Sequence, residues 1–327
     1  MRLPALNSLA LTGFALILLT GSSSGYTDRK EARDVKEGYR ATVGYRATVG
    51  YRDGFLAAGS GGRIDWISST GQVMRSEMFP GEDFNCLLAG NRQVIAAGDQ
   101  GSILVCSDKG EWQKMDSGTG KDIHTLAAFK GIFLAGADDG RIFRCDSNTV
   151  YDSVPLPLKG NIVSLSARAS DCFGVTDAGE IIRSEDGINW EILDFNEKYS
   201  GFYGTCCFRK VLAVKNRIAI AGVKEDGTPV LFISHLGGVW TERSLNYTDD
   251  QGMTGYLTDA PNDIFFDGPE DQFFLACDNG KLIQLPSCTQ CNELIILSGD
   301  DLECMAGNGQ LMVVAGENFF AETMNIR

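Results

Sequence analysis

Short apolar runs that end in a small residue and glycine recur along the chain: FLAAG (55–59), VIAAG (94–98), IFLAG (132–136), DCFG (171–174), IAIAG (218–222), FFLAC (273–277) and MVVAG (312–316). Their last residues are 39, 38, 38, 48, 55 and 39 positions apart. Each anchor run follows another apolar run, such as FNCLLAG (84–90), IHTLAAF (123–129) or IVSLSAR (162–168). A tight D-x-G turn then leads to a third run, as in SILVCS (102–107), RIFRCD (141–146) and EIIRSE (180–185), and a more polar fourth follows. Runs of this length between turn residues are strands, not helices. A period near 40 with four strands per unit predicts an all-β, seven-bladed β-propeller of four-stranded antiparallel blades.

The pattern offers no amphipathic helix beyond the N-terminal segment. The seventh unit stops after about three strands, and an open blade would leave an unpaired edge. The expected donor is the N-terminus, where YRATVGYRATVGYR (39–52) repeats a hexamer. Six is even, so both copies place the same side chains on one face. Part of this stretch is expected to complete the seventh blade and part to begin the first. Residues 26–38 are charged and read as a linker, leaving 39–327 as a single propeller domain.

Residues 1–25 carry one arginine, an uncharged stretch LALTGFALILLT and the small-residue run GSSSG, the layout of a signal peptide. The apolar part is shorter than the ~20 residues of a spanning helix. The chain is therefore expected to be exported (periplasmic, cell-surface or secreted), or tethered if the segment stays uncleaved, with no spanning segment in the mature chain. Cys86, Cys106, Cys145, Cys172, Cys277 and Cys304 lie in or beside apolar runs and read as buried thiols. Cys206–Cys207 and Cys288-x-x-Cys291 lack the second well-spaced pair of a zinc site. Acids outnumber bases 43 to 29, for a net charge of −14, which excludes a nucleic-acid binder.

A second signature lies between the third and fourth strands. Ser184, Asp186, Gly187 and Trp190 form SEDGINW; Ser107, Asp108, Gly110 and Trp112, and Ser234, Gly237 and Trp240, are weaker copies. These turns resemble the Asp-box of BNR-repeat propellers, where the motif is structural. AAGDQGSILVCSDKGEW (96–112) resembles the repeat of the photosystem II assembly and stability factor family. That resemblance implies an extracytoplasmic propeller that binds proteins during assembly. The Arg-rich patch of photosynthetic members has no counterpart in these repeats. Asp-boxes also occur in sialidases, which would need three convergent arginines and a Tyr/Glu pair; Arg63, Arg141 and Arg183 lie beside repeat turns instead.

One propeller face should carry the second-to-third-strand turns with Asp99, Asp138, Asp177, Asp226, Asp278 and Glu317. Turn chemistry alone accounts for Asp-x-Gly, yet a ring of carboxylates would favour a partner with a basic surface. Residues 249–327 hold 14 acids and two bases, so −12 of the −14 charge lies there. Two long intervals place insertions at 194–212 and 241–263 on the same face. They bring Tyr199, Phe202 and Tyr203, and Tyr247 and Tyr256, which suit a protein hot spot or a stacked glycan. The sequence thus reads as a monomeric, non-enzymatic propeller that binds a protein through its acidic face and two loops, without cofactor, metal or catalytic residues. The second reading is a carbohydrate-active protein, a glycan binder or a sialidase-like glycosidase.

Overall fold

In the computed structural model, residues 37–45, 54–90, 93–107, 109–145, 150–287 and 291–326 are described. Each repeat folds as an antiparallel sheet with its strands in chain order. The inner strands are Tyr39–Tyr45, Phe84–Ala89, Ile123–Phe129, Ile162–Ala167, Cys206–Val214, Pro261–Asp267 and Leu302–Gly307. Each packs beside the inner strand of the next blade, and the seventh packs beside the first, so the ring closes. The second strands explain the apolar runs. Gly54–Gly59, Val94–Gly98 and Gln272–Cys277 are buried at every position, because neighbouring blades cover both faces of each sheet. The core is accordingly a series of clusters between blades, such as Leu56, Trp66, Phe84 and Leu104 between the first two.

Closure is achieved by the inner strands. Tyr39–Tyr45 is the inner strand of the first blade and not the outer strand of the seventh. Gly38 bridges Glu317, and the Asn318 amide donates to the Glu37 carbonyl at 2.7 Å. The seventh blade has three described strands, Leu302–Gly307, Leu311–Gly316 and Ala321–Asn325. Residues 46–53, with most of the second hexamer, lie outside the described residues, as do the signal segment and residues 26–36 of the linker. Among the described residues no helix is long and apolar enough to cross a membrane.

Two sequence readings need correction. The first insertion contains an α-helix, Phe195–Tyr203. Asp194 caps it by accepting from the Glu197 amide at 2.8 Å, and Gly204 ends it with φ 77°. Phe195, Tyr199 and Tyr203 recur every fourth residue and pack on the fifth blade. Gly201 and the aromatic content hide this helix from a propensity argument. The second correction is the repeat register. Strand pairing sets Gly98 opposite Phe84, Ala137 opposite Ile123 and Thr176 opposite Ile162. Ala137 and Thr176, not Gly136 and Gly174, are therefore the equivalents of Gly98. The intervals become 39, 39, 39, 46, 55 and 39, and the excess falls wholly on the two insertions. The second insertion is a hairpin, Asn246–Thr248 and Thr254–Tyr256, that extends the sixth blade to six strands by parallel pairing of Tyr247 with Asn292.

The six strand-borne cysteines are buried thiols, and so is Cys206. Burial raises the thiols of Cys106 and Cys206 to about 11 and that of Cys172 to about 12, so they serve as small hydrophobes. Cys288 lies outside the described residues; Cys291 is free and exposed.

In the fourth blade the buried Asp171 receives both Arg168 and Arg183, the latter at 3.0 Å. Burial pushes its carboxyl upward, but the two arginines and Ser170 outweigh that and leave it below the usual range. A depressed folded pKa contributes stability above the unfolded carboxyl value near ~4, and the contribution disappears as pH falls through the folded value. Urea unfolding of the Asp171→Asn variant should therefore show a weaker loss of stability than wild type between pH ~5 and ~2. Parallel curves for the two proteins would contradict this assignment.

Candidate functional site

The face with the second-to-third-strand turns is built from one repeated contact. In all seven blades, the amide at the turn's start donates to the carbonyl just before the inner strand: Ser60 to Gly38, Asp99 to Asp83, Asp138 to Asp122, Asp177 to Asn161, Glu225 to Thr205, Asp278 to Ala260 and Glu317 to Asp301. Four of the turns also reach forward to the next blade. The amides of Gly61, Gln100, Asp139 and Asn279 donate to the side chains of Asp83, Asp122, Asn161 and Asp301, each 22 residues on. These caps were not singled out in the sequence, although their constant spacing is visible there.

The turn acids are drawn into the same lattice. Asp99 accepts from Asn85 at 2.7 Å, Asp177 from the Asn161 amide at 2.8 Å, Asp278 from Asn262 at 2.8 Å and Glu317 from the Asp301 amide at 3.3 Å. Asp138 meets His124 Nε2 at 2.7 Å. Asp226 stands apart: the second strand of the fifth blade runs on past Gly222 to Lys224, and the Asp226 carboxylate accepts from the Thr228 amide within that longer hairpin. All six acids thus lie at second-to-third-strand turns, and five of them spend much of their hydrogen-bonding capacity on the ring itself. Asp301, Glu303 and Glu317 have carboxylate oxygens within 4.8 Å of one another and are the described residues that could hold a cation.

Inside these turns, every inner strand carries a β-bulge at one equivalent residue: Arg40, Asn85, His124, Val163, Arg209, Asn262 and Glu303. The bulge turns two consecutive side chains to the same side. The next ring is Ala41, Cys86, Thr125, Ser164, Lys210, Asp263 and Cys304. Three of its members cap the free edge of the neighbouring inner strand. Thr125 accepts from the Leu165 amide at 2.8 Å, Ser164 from Val211 at 3.2 Å and Asp263 from Met305 at 2.7 Å. Lys210 pairs with Asp263 at 2.9 Å. Burial works to lower the lysine pKa, but Asp263, with smaller effects of Cys304 and Cys86 from other blades, raises it, so the ammonium is held charged near the ring axis. The sequence signal for these residues is two successive polar or small residues inside an otherwise apolar inner strand.

The insertion aromatics divide. Tyr199 packs on Phe195 at 4.9 Å between ring centroids. Tyr203 lies 5.1 Å from Phe232 and donates to the Trp240 carbonyl at 3.1 Å. Tyr247 is half-buried against the sixth blade. Phe202, Met253 and Tyr256 remain 85%, 65% and 75% exposed.

On the opposite side, the Ser184–Trp190 turn is closed by its own side chains. Ser184 Oγ accepts from the Gly187 amide at 2.8 Å, and Asp186 accepts from the amides of Ile188 and Asn189 at 2.8 and 2.7 Å. Those bonds hold the Asp186 carboxyl well below its ordinary range. Gly187 and Gly237 take φ of 75° and 80° at matching places, as does Gly110 at 79°. Ser107 accepts from the amides of Lys109 and Glu111, Trp112 stacks edge-on against Phe79, and Trp240 is buried with Ser234. Trp190 packs against the cluster of Phe129 and Leu134. Asp108 lies outside the described residues.

Two solved structures share this arrangement. The WD40 β-propeller domain of Doa1 aligns with a TM-score of 0.67 at 10% identity, over 89% of this chain and 93% of the domain. The chain is a seven-bladed β-propeller. The computationally designed protein Ika8 aligns with the propeller at a TM-score of 0.61 and 13% identity, over 89% of this chain and 97% of that one. No protein-family model and no curated protein sequence matches the chain. At these identities the likeness is one of fold alone.

Proposed function

We propose that this propeller is an exported, non-enzymatic binding module that docks a protein with a basic surface through its two insertions. The observation that carries this reading is the exposure of Phe202 on the helix between the fourth and fifth blades, and of Met253 and Tyr256 on the hairpin between the fifth and sixth. Large apolar side chains left in water on a rigid scaffold are what a protein hot spot requires. The flanking charge gives the partner its sign: the stretch from 249 to 327 is the acidic part of the chain. The rigid turn lattice supports a scaffold role, since it fixes the loops without needing the partner. Arg63 and Arg183 are committed to Asp65 and Asp171 in separate blades, which favours binding over a sialidase-like site. The photosystem II factor and Asp-box likenesses agree with such a role as expectations from sequence.

Affinity capture from the envelope fraction of the source organism tests this. Wild-type protein should retain a basic protein that also binds when purified. The Phe202→Ala/Tyr256→Ala variant, folded by thermal unfolding, should bind it about 30-fold or more weakly, as expected when two hot-spot side chains are truncated. Equal binding by the variant would move the site off the insertions. Retention of polysaccharide with no protein would support the carbohydrate reading instead.

A further inference from the structure

The fourth strand of the first blade, Val73–Met78, is the outer edge of its sheet. Its alternation separates two sets of side chains. Arg75 and Glu77 lie half-buried on the side of Trp66, whose indole Nε1 donates to Glu77 Oε1 at 3.4 Å, and the two pair with each other at 2.9 Å. Val73, Met74, Ser76 and Met78 are exposed on the other side, the three apolar ones at 45%, 46% and 57%. A β-bulge at Met74 sets it beside Val73 and leaves Arg75–Met78 in regular pairing with the third strand. An edge strand presents a row of unpaired backbone donors and acceptors, which proteins usually blunt. Other described outer strands carry such devices. Lys114 stands exposed within Trp112–Met115, Val150–Pro155 ends in proline, and Glu191–Asp194 is short with an acid at each end. Val239–Glu242 has four residues, and the hairpin covers Asn292–Ile296. Val73–Met78 has neither lysine nor proline and leaves its apolar side chains in water.

We propose that two copies of this chain associate by pairing this edge with itself, antiparallel, about a two-fold axis at Ser76. The strand is self-complementary in that register. Arg75 of each copy stands opposite Glu77 of the other, Met74 opposite Met78, and Ser76 opposite Ser76. One face of the joint therefore carries two charge pairs and the other two thioether pairs. Sliding one copy by two residues would set Arg75 against Arg75 or Glu77 against Glu77, so the same charges fix the register. The edge is locally neutral, which lets two chains of net charge −14 meet there. Glu77 is held by the Trp66 indole, whereas the Arg75 side chain is 39% exposed and can bridge the glutamates of both copies. Methionine is favoured at such contacts for its flexible, polarizable side chain. One strand per copy makes a small interface, so the association is weak and concentration-dependent. The joint lies on the first blade and the insertions border the fifth, so its failure would leave the docking proposal untouched.

Sedimentation velocity of the purified full chain tests it. Wild type should pass from one chain to two between ~5 and ~500 μM. R75E and E77R each bring like charges together at the joint and should associate at least ~10-fold more weakly. An equimolar mixture of R75E and E77R should dimerise again, because the two altered edges complement each other. S76C places a thiol on the axis, where the facing Cα atoms are about 4.5–5.5 Å apart, within disulfide reach. Mild oxidation should then link two copies through position 76, a product identified by peptide mass. S76C alters an exposed side chain and serves if either charge variant lowers the unfolding temperature. The proposal is overturned if wild type remains a single chain at ~500 μM. It is overturned equally if R75E alone dimerises as wild type does, if the mixture of folded variants stays apart, or if S76C forms no such link.

Discussion

Gly98→Ala is expected to destabilise the propeller by about 3 kcal/mol or more, although it adds a single methyl group. The glycine ends the second strand of its blade, just before the Asp99 turn. A Cβ built there would lie 1.7 Å from the Asp83 carbonyl oxygen, which also receives the Asp99 amide. Nothing flexible can give way, because the obstacle is backbone held by the contact that closes the turn. Gly59, Gly222 and Gly316 meet equivalent carbonyls at 1.9, 2.2 and 2.0 Å. The third blade supplies the control. Ala137 occupies the matching position with a different backbone, φ −139° and ψ −177°, so Ala137→Gly should lose only about 1 kcal/mol through chain entropy. Urea unfolding of the two variants checks the contrast, and equal losses would contradict it.

The second large effect is expected at Asp263. Its carboxylate accepts from the Met305 and Ile264 amides at 2.7 and 2.8 Å and pairs with Lys210. Asp263→Ala would strand an ammonium inside the ring and leave the Met305 amide without its acceptor. Breaking a buried pair costs ~3–5 kcal/mol, but the Lys210 side chain keeps 37% exposure, which discounts the cost to about 2–3 kcal/mol. Lys210→Met should cost less, about 1 kcal/mol, because Asp263 keeps both amide donors. Chemical denaturation of the single variants and the double variant gives the coupling directly. A larger loss for Lys210→Met than for Asp263→Ala would show that the lysine, not the carboxylate, organises this part of the ring.

These two sites mark what the sequence could and could not reveal. The propeller was legible because strands covered on both faces must be apolar at every position, and because Asp-x-Gly turns punctuate them at a nearly fixed period. The anchor glycines of the first two units were legible for the same reason. Gly136 and Gly174 were misleading, since glycine one or two places early imitates the anchor while Ala137 and Thr176 fill its role. Lys210 and Asp263 were not legible as a pair, because they lie 53 residues apart and meet only when neighbouring inner strands are set side by side. Closure by an N-terminal strand was legible, but its exact place was not: the hexamer repeat is compatible with either end of the ring, and the pairing of Tyr39–Tyr45 with Gly54–Gly59 sets it innermost in the first blade. In the insertions the aromatics could be counted but not sorted. Capping by Asp194 and the four-residue spacing send Tyr199 and Tyr203 inward and leave Phe202 in water.

The central claim, that the two insertions dock a protein, is tested most directly by site-specific photo-crosslinking. A photoreactive residue would replace Phe202, Tyr256 or Ile188 in turn, the last being exposed on the opposite side. In envelope extract, positions 202 and 256 should crosslink the same basic protein, and position 188 should not. Crosslinks to that protein from position 188 but from neither insertion would contradict the account.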